Sequence, residues 1–196
     1  FDMKVITAIG KDFDSLCDRL SKEIIKEFSP DVIIGVATGG RYVAEEIGKK
    51  INVPLVIIKR QRNSTKKKSK FRMASFLPFL PRPINDLLRI AEIKFNERKF
   101  RKSGRILSVG AVAHISGDLE HLRKGKRILI VDDAVDSGGT FIDCINFLQP
   151  FLSSDSVVKT AALNVTFDEP AFIPDFYLYK GYLIRYPWAS DVRRKG

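Results

Sequence analysis

The residues of this sequence most capable of chemistry lie between positions 128 and 140. An apolar run, Ile128–Val131, has the length and β-branching of a buried parallel strand. Beyond the run, Phe141, Ile142, Ile145 and Leu148 have helical spacing. Between these two segments stand Asp132, Asp133, Ala134, Val135, Asp136, Ser137, Gly138, Gly139 and Thr140. This order of strand, carboxylates, small-residue loop and helix predicts a ligand site at the carboxyl edge of a sheet.

The loop has the composition of a phosphate cradle. Gly138 and Gly139 let backbone N–H groups converge on one point, and hydroxyl groups accompany them beside a helix N-terminus, which favours anions. The adjacent carboxylates Asp132 and Asp133 would repel a bare phosphate, so the ligand should carry hydroxyls or a divalent cation beside its phosphate. A purely structural role, in which Asp ends the strand and caps the helix, would require neither a second carboxylate nor the Gly pair. The pattern therefore indicates a sugar phosphate such as a ribose 5-phosphate.

Three segments resemble the type I phosphoribosyltransferases. Residues 128–140 resemble the thirteen-residue signature that binds phosphoribosyl pyrophosphate (PRPP) in that family. Residues 31–42, DVIIGVATGGRY, resemble the family's strand and pyrophosphate loop, with the loop at Ala37–Arg41. Less specifically, residues 182–188, YLIRYPW, resemble the Trp-containing C-terminal segment of the 6-oxopurine enzymes. The resemblance spans residues 31 to 188, and residues 61–104 match no feature of the family.

The resemblance implies an architecture. It is an α/β fold with a doubly wound, mostly parallel sheet, helices on both faces, and a small hood built from the N-terminal and C-terminal segments. Residues 1–196 are expected to form a single domain, with a basic loop and helical insert at about 61–104 and a hood segment at about 165–196.

The resemblance also implies a reaction and its residues. In the family, a nucleobase nitrogen displaces pyrophosphate from C1 of PRPP that is bound with Mg²⁺. Asp132 and Asp133 would hold the ribose hydroxyls, directly or as Mg²⁺ ligands, and Ala134 to Thr140 would cradle the 5-phosphate. Asp136 occupies the position where 6-oxopurine enzymes carry an Asp that handles the proton at purine N7. Pyrophosphate contacts are implied for Thr38, Gly39, Gly40 and Arg41, and base contacts for Lys180, Tyr182, Leu183 and Trp188.

Two positions depart from the 6-oxopurine pattern. The aromatic residue that often stacks on the base is replaced here by Leu183, with Tyr182 beside it, and Ala189 follows the Pro-Trp pair where an acid is common.

The rest of the chain alternates strands and helices. Apolar residues between Phe13 and Phe28 predict a helix that Pro30 ends, and a second helix should run from about Tyr42 to Lys50. Such alternation predicts parallel pairing with right-handed crossovers. The predicted strands are Val32–Val36, Pro54–Lys59, Ile106–Ala111, Ile128–Val131 and Val157–Leu163.

A basic stretch, Lys59–Arg72, contains no acid and carries most of the net charge of +11. Three interpretations stay open: a solvated loop, a loop that steers and clamps PRPP, and a surface that binds nucleic acid or an anionic membrane. The segment Phe76–Pro81 and a predicted helix follow, with Ile84, Leu87, Leu88, Ala91 and Phe95 on one stripe. The stripe should pack on the domain or across a dimer, and membrane contact is the alternative.

Composition fits one compact domain, since 196 residues with 44% hydrophobic content can bury a single core. Cys17 and Cys144 fall on apolar helix faces without zinc-binding spacing, so both are expected to be reduced core residues. The sequence shows neither a membrane-spanning run nor a signal segment, which favours the cytoplasm.

Together these features predict a homodimeric, Mg²⁺-dependent phosphoribosyltransferase of purine salvage that uses PRPP and a 6-oxopurine base. The alternative is a PRPP-sensing regulator of the same fold that binds nucleic acid through its basic loop. A third possibility is an enzyme whose acceptor is not a nucleobase.

Overall fold

A computed structural model describes residues 3–61 and 81–189 of the chain. These residues form eight strands and five helices, with a short 3₁₀ turn at Gln149–Phe151. In chain order they are β1 (Lys4–Thr7), α1 (Lys11–Glu27), β2 (Val32–Ala37), α2 (Gly39–Ile51), β3 (Leu55–Gln61), α3 (Arg82–Lys102), β4 (Ala111–Ser116), α4 (Glu120–Lys124), β5 (Arg127–Val135), α5 (Gly139–Leu148), β6 (Val157–Val165), β7 (Phe176–Lys180) and β8 (Tyr182–Arg185).

The central sheet has six strands in the order β4-β3-β2-β5-β6-β7. All neighbouring pairs are parallel except β3 and β4, which are antiparallel. From β2 the chain moves outward to β3, and from β5 it moves to the other side through β6 and β7. The strand order therefore reverses between β2 and β5, and the crevice at their carboxyl ends is where such sheets bind ligands. The predicted doubly wound α/β fold is confirmed.

Helices cover both faces of this sheet, so its inner strands are buried on both sides. In β2, Ile33 packs with α1 and α2 on one face, whereas Ile34 faces the side of α5. Strands covered on both faces must be apolar at consecutive positions, as these are. Cys17 and Cys144 are free and lie one on each face, and burial raises the pKa of both thiols to about 12. The expectation of two buried core cysteines is confirmed.

A small second layer, the hood, is built from β1, β8 and α3. The two strands pair in parallel, with Val5 opposite Leu183. Helix α3 packs on them because Ile90 forms a small core cluster with Met3 and Leu183. Arg185 of β8 also ion-pairs with Asp86 of α3 and donates a hydrogen bond of 2.9 Å to the Thr7 hydroxyl. The helix of the predicted insert thus belongs to the hood.

The predicted strand at Ile106–Ala111 is wrong. The strand β4 lies later, at Ala111–Ser116, and is an antiparallel edge strand with a largely exposed face. The strand was missed because it is mostly exposed and includes polar residues, so it lacks the continuous apolar run of a strand that is buried on both faces. Two boundaries also differ from the prediction: α2 begins at Gly39 rather than near Tyr42, and β5 continues through the two carboxylates to Val135.

The predicted apolar stripe of α3 does not pack on the domain. Ile84, Leu87, Leu88 and Phe95 are exposed, whereas the face toward the domain buries Asn85, Ile90, Glu97 and Phe100. Most of the basic stretch Lys59–Arg72 and of the segment Phe76–Pro81 lies outside the described residues. No helix in residues 3–61 and 81–189 is both long enough and apolar enough to cross a membrane.

Loss of the α3 ion pair should destabilise the hood. The side chain of Arg185 is only 5% exposed, so Asp86→Ala removes a carboxylate from a desolvated cation, which should lower the free energy of unfolding by about 3 kcal/mol in urea titrations. The matched change Glu120→Ala removes an ion pair with Arg123 whose two side chains are more than half exposed, and it should cost less than about 1 kcal/mol. Equal losses in the two variants would contradict the buried-pair interpretation.

Candidate active site

The two loops that resemble the family meet in space at the strand-order reversal. Helix α2 begins against the acidic end of β5 so closely that no side chain fits between them. A Cβ atom on Gly39 would lie 2.0 Å from Asp133 Oδ2, and one on Gly40 would lie 2.6 Å from the Asp132 Cα. Only glycine permits this approach, which places backbone N–H groups of the predicted pyrophosphate loop beside the carboxylates predicted to hold the ribose.

The carboxylates of Asp132 and Asp133 are half-buried, and hydrogen bonds hold both residues in place. Asp132 Oδ1 accepts a hydrogen bond of 2.8 Å from the backbone N–H of Asp133. Trp188 Nε1 donates to Asp133 Oδ2 at 3.3 Å, and the Tyr186 hydroxyl donates to the Asp133 carbonyl oxygen at 2.8 Å. Burial nevertheless raises the pKa of Asp133 above its ordinary value. Burial and the nearby charge of Asp133 also raise the pKa of Tyr186. The site therefore concentrates negative charge where water stabilises it poorly.

The predicted phosphate cradle is a tight strand-to-helix turn. Strand β5 ends at Val135, Gly138 adopts a φ of 88°, and α5 begins at Gly139. A Cβ atom on Gly138 would lie 2.5 Å from the Phe172 Cβ, so this position requires glycine for contact as well as for conformation. The Ala171 N–H donates to the Ser137 carbonyl oxygen at 2.9 Å, which holds the following segment against the turn. The first N–H groups of α5 lack partners within their helix, as an anion site requires.

Arg60 lies at the rim of this cradle. A Cβ atom on Gly139 would be 3.8 Å from Arg60 Nη2 and 3.4 Å from Leu107 Cδ2. Arg60 Nε donates to Asp143 Oδ2 at 2.6 Å, and Arg60 Nη2 donates to the Ser108 carbonyl oxygen. The buried ion pair and the Gly110 N–H, which donates to the same Asp143 oxygen at 2.9 Å, fix the segment that the sequence had predicted as a strand.

A row of polar residues crosses three adjacent strands beside the cradle. Val135 of β5 is opposite Val165 of β6, and Val165 is opposite Lys180 of β7. Asp136 and Thr166 each follow one of the paired valines, and the Thr166 hydroxyl donates to Asp136 Oδ1 at 2.5 Å. Asp136 and Lys180 are exposed, whereas Thr166 is buried. The row thus brings a carboxylate and an ammonium group to the carboxyl edge of the sheet, with Lys180 one register level before Asp136 and Thr166.

The residues predicted to contact a base do not all lie in one place. Trp188 belongs to an aromatic cluster. Its ring is stacked on Tyr186, with 4.8 Å between the ring centroids, and on Tyr42, with 5.0 Å between the centroids. The Phe13 ring contacts Trp188 in a T-shaped arrangement. Tyr182 packs against Tyr179 instead, with 5.0 Å between the ring centroids. Leu183 is buried in the hood cluster, where it has little surface left for a ligand.

The predicted pyrophosphate residues occupy the start of α2. Thr38 is exposed, follows a cis peptide bond from Ala37, and immediately precedes the helix. Arg41 is exposed too, and its Nε donates to Glu45 Oε1 at 2.7 Å along the same helix. Of the four predicted pyrophosphate residues, Gly39 and Gly40 therefore contact Asp132 and Asp133 directly. Arg41 follows the two glycines in the helix, and Glu45 holds its side chain.

Three residues that the sequence did not single out shape the site: Arg60, Thr166 and Tyr186. Tyr186 stood within the matched segment 182–188, so its contact with Asp133 was within reach of a motif argument. Thr166 lies three residues beyond the predicted strand that ends at Leu163, and its pairing with Asp136 needs the strand register. Arg60 had no signal apart from its charge.

The carboxylates fit a Mg²⁺ ion that a substrate helps to bind. Across the part of the chain that the structure describes, no group of three or more His, Cys, Asp and Glu side chains could hold a metal by itself. Mg²⁺ commonly takes one or two carboxylates and completes its shell with water and substrate oxygens. Asp132 and Asp133 form such a pair, and a cation there would offset the burial that raises the pKa of Asp133.

The phosphoribosyl transferase domain model matches residues 7–170 of the chain. Three solved structures share the fold over nearly the whole chain. A purine phosphoribosyltransferase from Pyrococcus horikoshii is 20% identical, with a TM-score of 0.61 and coverage of 95% of this chain and 94% of that one. A xanthine-guanine-hypoxanthine phosphoribosyltransferase from Helicobacter pylori is 16% identical, with a TM-score of 0.64 and 96% coverage of both chains.

The third structure is a hypothetical protein from Neisseria gonorrhoeae with bound ppGpp. It is 19% identical, with a TM-score of 0.59 and coverage of 98% of this chain and 94% of that one. No curated protein sequence matches this chain.

The protein belongs to the phosphoribosyltransferase family, and its sheet and helices have the type I fold. It is therefore a transferase whose family uses PRPP and a nucleobase as substrates.

A methyl group at position 39 should block the site. PRPP should raise the melting temperature of the wild-type protein by mass action. Gly39→Ala would force a Cβ atom into the Asp133 carboxylate, so this variant should lose that response. Gly48→Ala is a control in the same helix, because a Cβ atom there has no neighbour within 4 Å. That variant should keep the PRPP response and gain about 0.5–1 kcal/mol of stability in urea titrations. Retention of the response in Gly39→Ala would refute the assigned contact.

The half-buried carboxylate of Asp133 should make the ligand-free protein less stable at neutral pH. Because the folded state raises the pKa of Asp133, its ionised form opposes folding above pH about 4, where the unfolded group is already charged. Asp133→Asn, measured with a metal chelator present, should therefore melt above the wild-type protein at pH 7, and the difference should shrink as the pH falls toward 4.

The control for that experiment has the opposite sign. Lys126 lowers the pKa of exposed Asp155, so Asp155→Asn should leave the melting temperature unchanged or slightly reduced at pH 7. A lower melting temperature for Asp133→Asn would mean that the hydrogen bonds to the carboxylate outweigh its burial.

Proposed function

We propose that the protein transfers ribose 5-phosphate from PRPP to a 6-oxopurine, hypoxanthine, guanine or xanthine, in purine salvage. The observation that carries the proposal is the Asp136–Thr166 hydrogen bond at the carboxyl ends of β5 and β6, with Lys180 one register level earlier at the end of β7. The row stands directly beside the cradle at Ser137–Thr140, so a base there would lie next to a bound ribose phosphate.

The row matches the edge of a 6-oxopurine. Such a base presents an N–H at N7 beside an exocyclic oxygen at C6, that is, a hydrogen-bond donor next to an acceptor. Asp136 can accept from the donor, and Lys180 can donate to the oxygen. Two strand spacings, about 10 Å, separate β5 from β7, so a base that meets both groups would lie across the carboxyl ends of these strands. Adenine would turn an amino group toward the ammonium of Lys180, and two donors repel.

Thr166 supports this role of Asp136. Its hydroxyl is buried and donates to Asp136 Oδ1, while its backbone N–H donates to the Val135 carbonyl oxygen at 2.8 Å. The hydrogen bond leaves the second carboxylate oxygen to accept the purine proton as the base nitrogen bonds to C1. A fixed carboxylate is a better base than a mobile one, because its orientation is set before the reaction.

The sugar-phosphate half of the site accounts for the other charges. As the base nitrogen bonds to C1, the bond from C1 to the pyrophosphate oxygen breaks, which leaves positive charge on the ribose ring. The negative field of Asp132 and Asp133 favours that charge, and the cradle holds the 5-phosphate. N–H groups at the start of α2, with Arg41, receive the departing pyrophosphate.

Mg²⁺ is the proposed metal, held by Asp132 and Asp133 together with oxygens of PRPP. When bound, it neutralises the pyrophosphate and makes it a better leaving group.

A pyrophosphate-release assay with PRPP, Mg²⁺ and a panel of bases tests the proposal. Release should occur with hypoxanthine, guanine or xanthine and be absent with adenine, orotate and uracil. Asp136→Asn should lower kcat by about tenfold to 10⁴-fold and leave the PRPP-induced rise in melting temperature intact. Asp155→Asn, far along the chain at an exposed site, is the control. Turnover with adenine alone would overturn the choice of base.

Two Thr166 variants separate positioning from packing. Thr166→Val keeps the shape but removes the hydroxyl, so kcat should fall with little change in KM for PRPP, whereas Thr166→Ser should restore kcat. Binding of PRPP with no turnover on any base, together with salt-sensitive RNA binding, would instead favour a regulator of this fold. Turnover with an acceptor outside the panel would favour the third class of function.

A further inference from the structure

Helix α3 presents an apolar face that the fold does not use. At 100° per residue, Ile84, Leu87, Leu88, Ala91 and Phe95 fall within an arc of about 100° on one side of the helix. Their exposure is high, at 45% for Ile84, 56% for Leu87, 42% for Leu88 and 67% for Phe95. Contiguous exposed apolar side chains of this size mark an interaction surface. We call these five residues the apolar face of α3.

The apolar face is not a poorly packed core. The opposite side of α3 already holds it on the hood through Ile90 in the cluster with Met3 and Leu183. The ion pair of Asp86 with Arg185 fixes one end, and the Glu97 carboxylate, which accepts from the Asp168 N–H at 2.6 Å, fixes the other. The helix is thus oriented firmly, with its apolar face turned away from the domain.

Basic residues extend the same side of α3 toward its C-terminal end. Arg98, Lys99 and Lys102 fall within about 60° of the centre of the apolar face, and all three are exposed. Helix α3 has seven basic and three acidic residues, and two of the acids, Asp86 and Glu97, are engaged with the domain. Its outer surface is therefore apolar over three turns and cationic over the last turn and a half.

The charge decides which partner fits. A second copy of the chain would bring its own cationic helix against this one, and each chain carries a net charge of +11. A surface of anionic lipid headgroups attracts the basic end and takes up the aliphatic and aromatic side chains at the acyl boundary. A helix of 21 residues, about 31 Å long, would lie along such a surface rather than cross it.

We propose that the outer face of α3 docks the protein on an anionic lipid surface. The helix lies in the interfacial plane, with Leu87, Leu88 and Phe95 inserted and with Arg98, Lys99 and Lys102 at the headgroups. The proposal concerns a surface separate from the sugar-phosphate site, so it stands or falls independently of the base that the enzyme uses.

Vesicle binding of the full chain tests it. The wild-type protein should float with vesicles that contain phosphatidylglycerol in phosphatidylcholine, remain unbound with pure phosphatidylcholine, and lose affinity as salt rises. The triple variant Leu87→Gln, Leu88→Gln, Phe95→Gln should lower the partition coefficient at least tenfold, and so should Arg98→Gln, Lys99→Gln, Lys102→Gln.

Two matched triple variants exclude general effects of hydrophobicity and charge. Ile25, Val157 and Tyr177 are 40–49% exposed on other elements, and changing all three to Gln should leave vesicle binding unchanged. Lys22, Lys26 and Lys49 have side chains 65–70% exposed, and changing them to Gln should have at most a small effect. Melting temperatures of all variants establish that each one is folded.

Three outcomes would overturn the proposal. The first is failure of the wild-type protein to bind anionic vesicles. The second is undiminished binding by the apolar triple variant, which would reduce the effect to net charge. The third is a lipid-free dimer in sedimentation velocity that the apolar triple variant converts to a monomer, which would assign the face to a second copy of the chain.

Discussion

The site depends on one steric constraint, the contact of two glycines in α2 with two carboxylates in β5. Gly39 and Gly40 let the helix backbone reach Asp132 and Asp133 at a separation that any side chain would prevent. This contact joins the two halves of the sheet at the point where the strand order reverses, because β2 and β5 are neighbours there. The anion-binding start of α2 and the acidic end of β5 thus become one surface, and a ligand with both a diol and phosphates can span it.

The same contact requires the protein to tolerate unfavourable electrostatics. Burial raises the pKa of Asp133, and the groups that donate to this residue, Trp188 and Tyr186, both come from the C-terminal segment. These two residues therefore meet Asp133 with neutral hydrogen-bond donors. A cationic group bound beside that carboxylate would gain binding free energy because it offsets the unfavourable burial of the charge. Stability and ligand affinity are coupled through this one residue.

Much of the fold could be predicted from local sequence, and the failures have physical causes. Consecutive apolar residues in β2, β5 and β6 identified strands buried on both faces, and the Gly pairs identified the turns. Strand β4 was missed because a mostly exposed edge strand gives a weak hydrophobic signal beside the apolar run that precedes it. The partner of Asp136 was also out of reach, because Thr166 is 30 residues away and meets it only through the register of β5 with β6. For α3 the apolar stripe was correctly found, yet a helix with apolar residues on two faces does not reveal which face is buried.

Trp188 is the sole tryptophan of the chain, and its indole N–H is hydrogen-bonded to Asp133. Its ring is also stacked on Tyr42, which stands in the first turn of α2, and on Tyr186. Indole emission depends on the charge and polarity immediately around the ring, and here that environment is the carboxylate pair itself. The protein consequently contains an intrinsic fluorophore in contact with its acidic centre, and changes in the ionisation or occupancy of that centre should alter its emission without any added label.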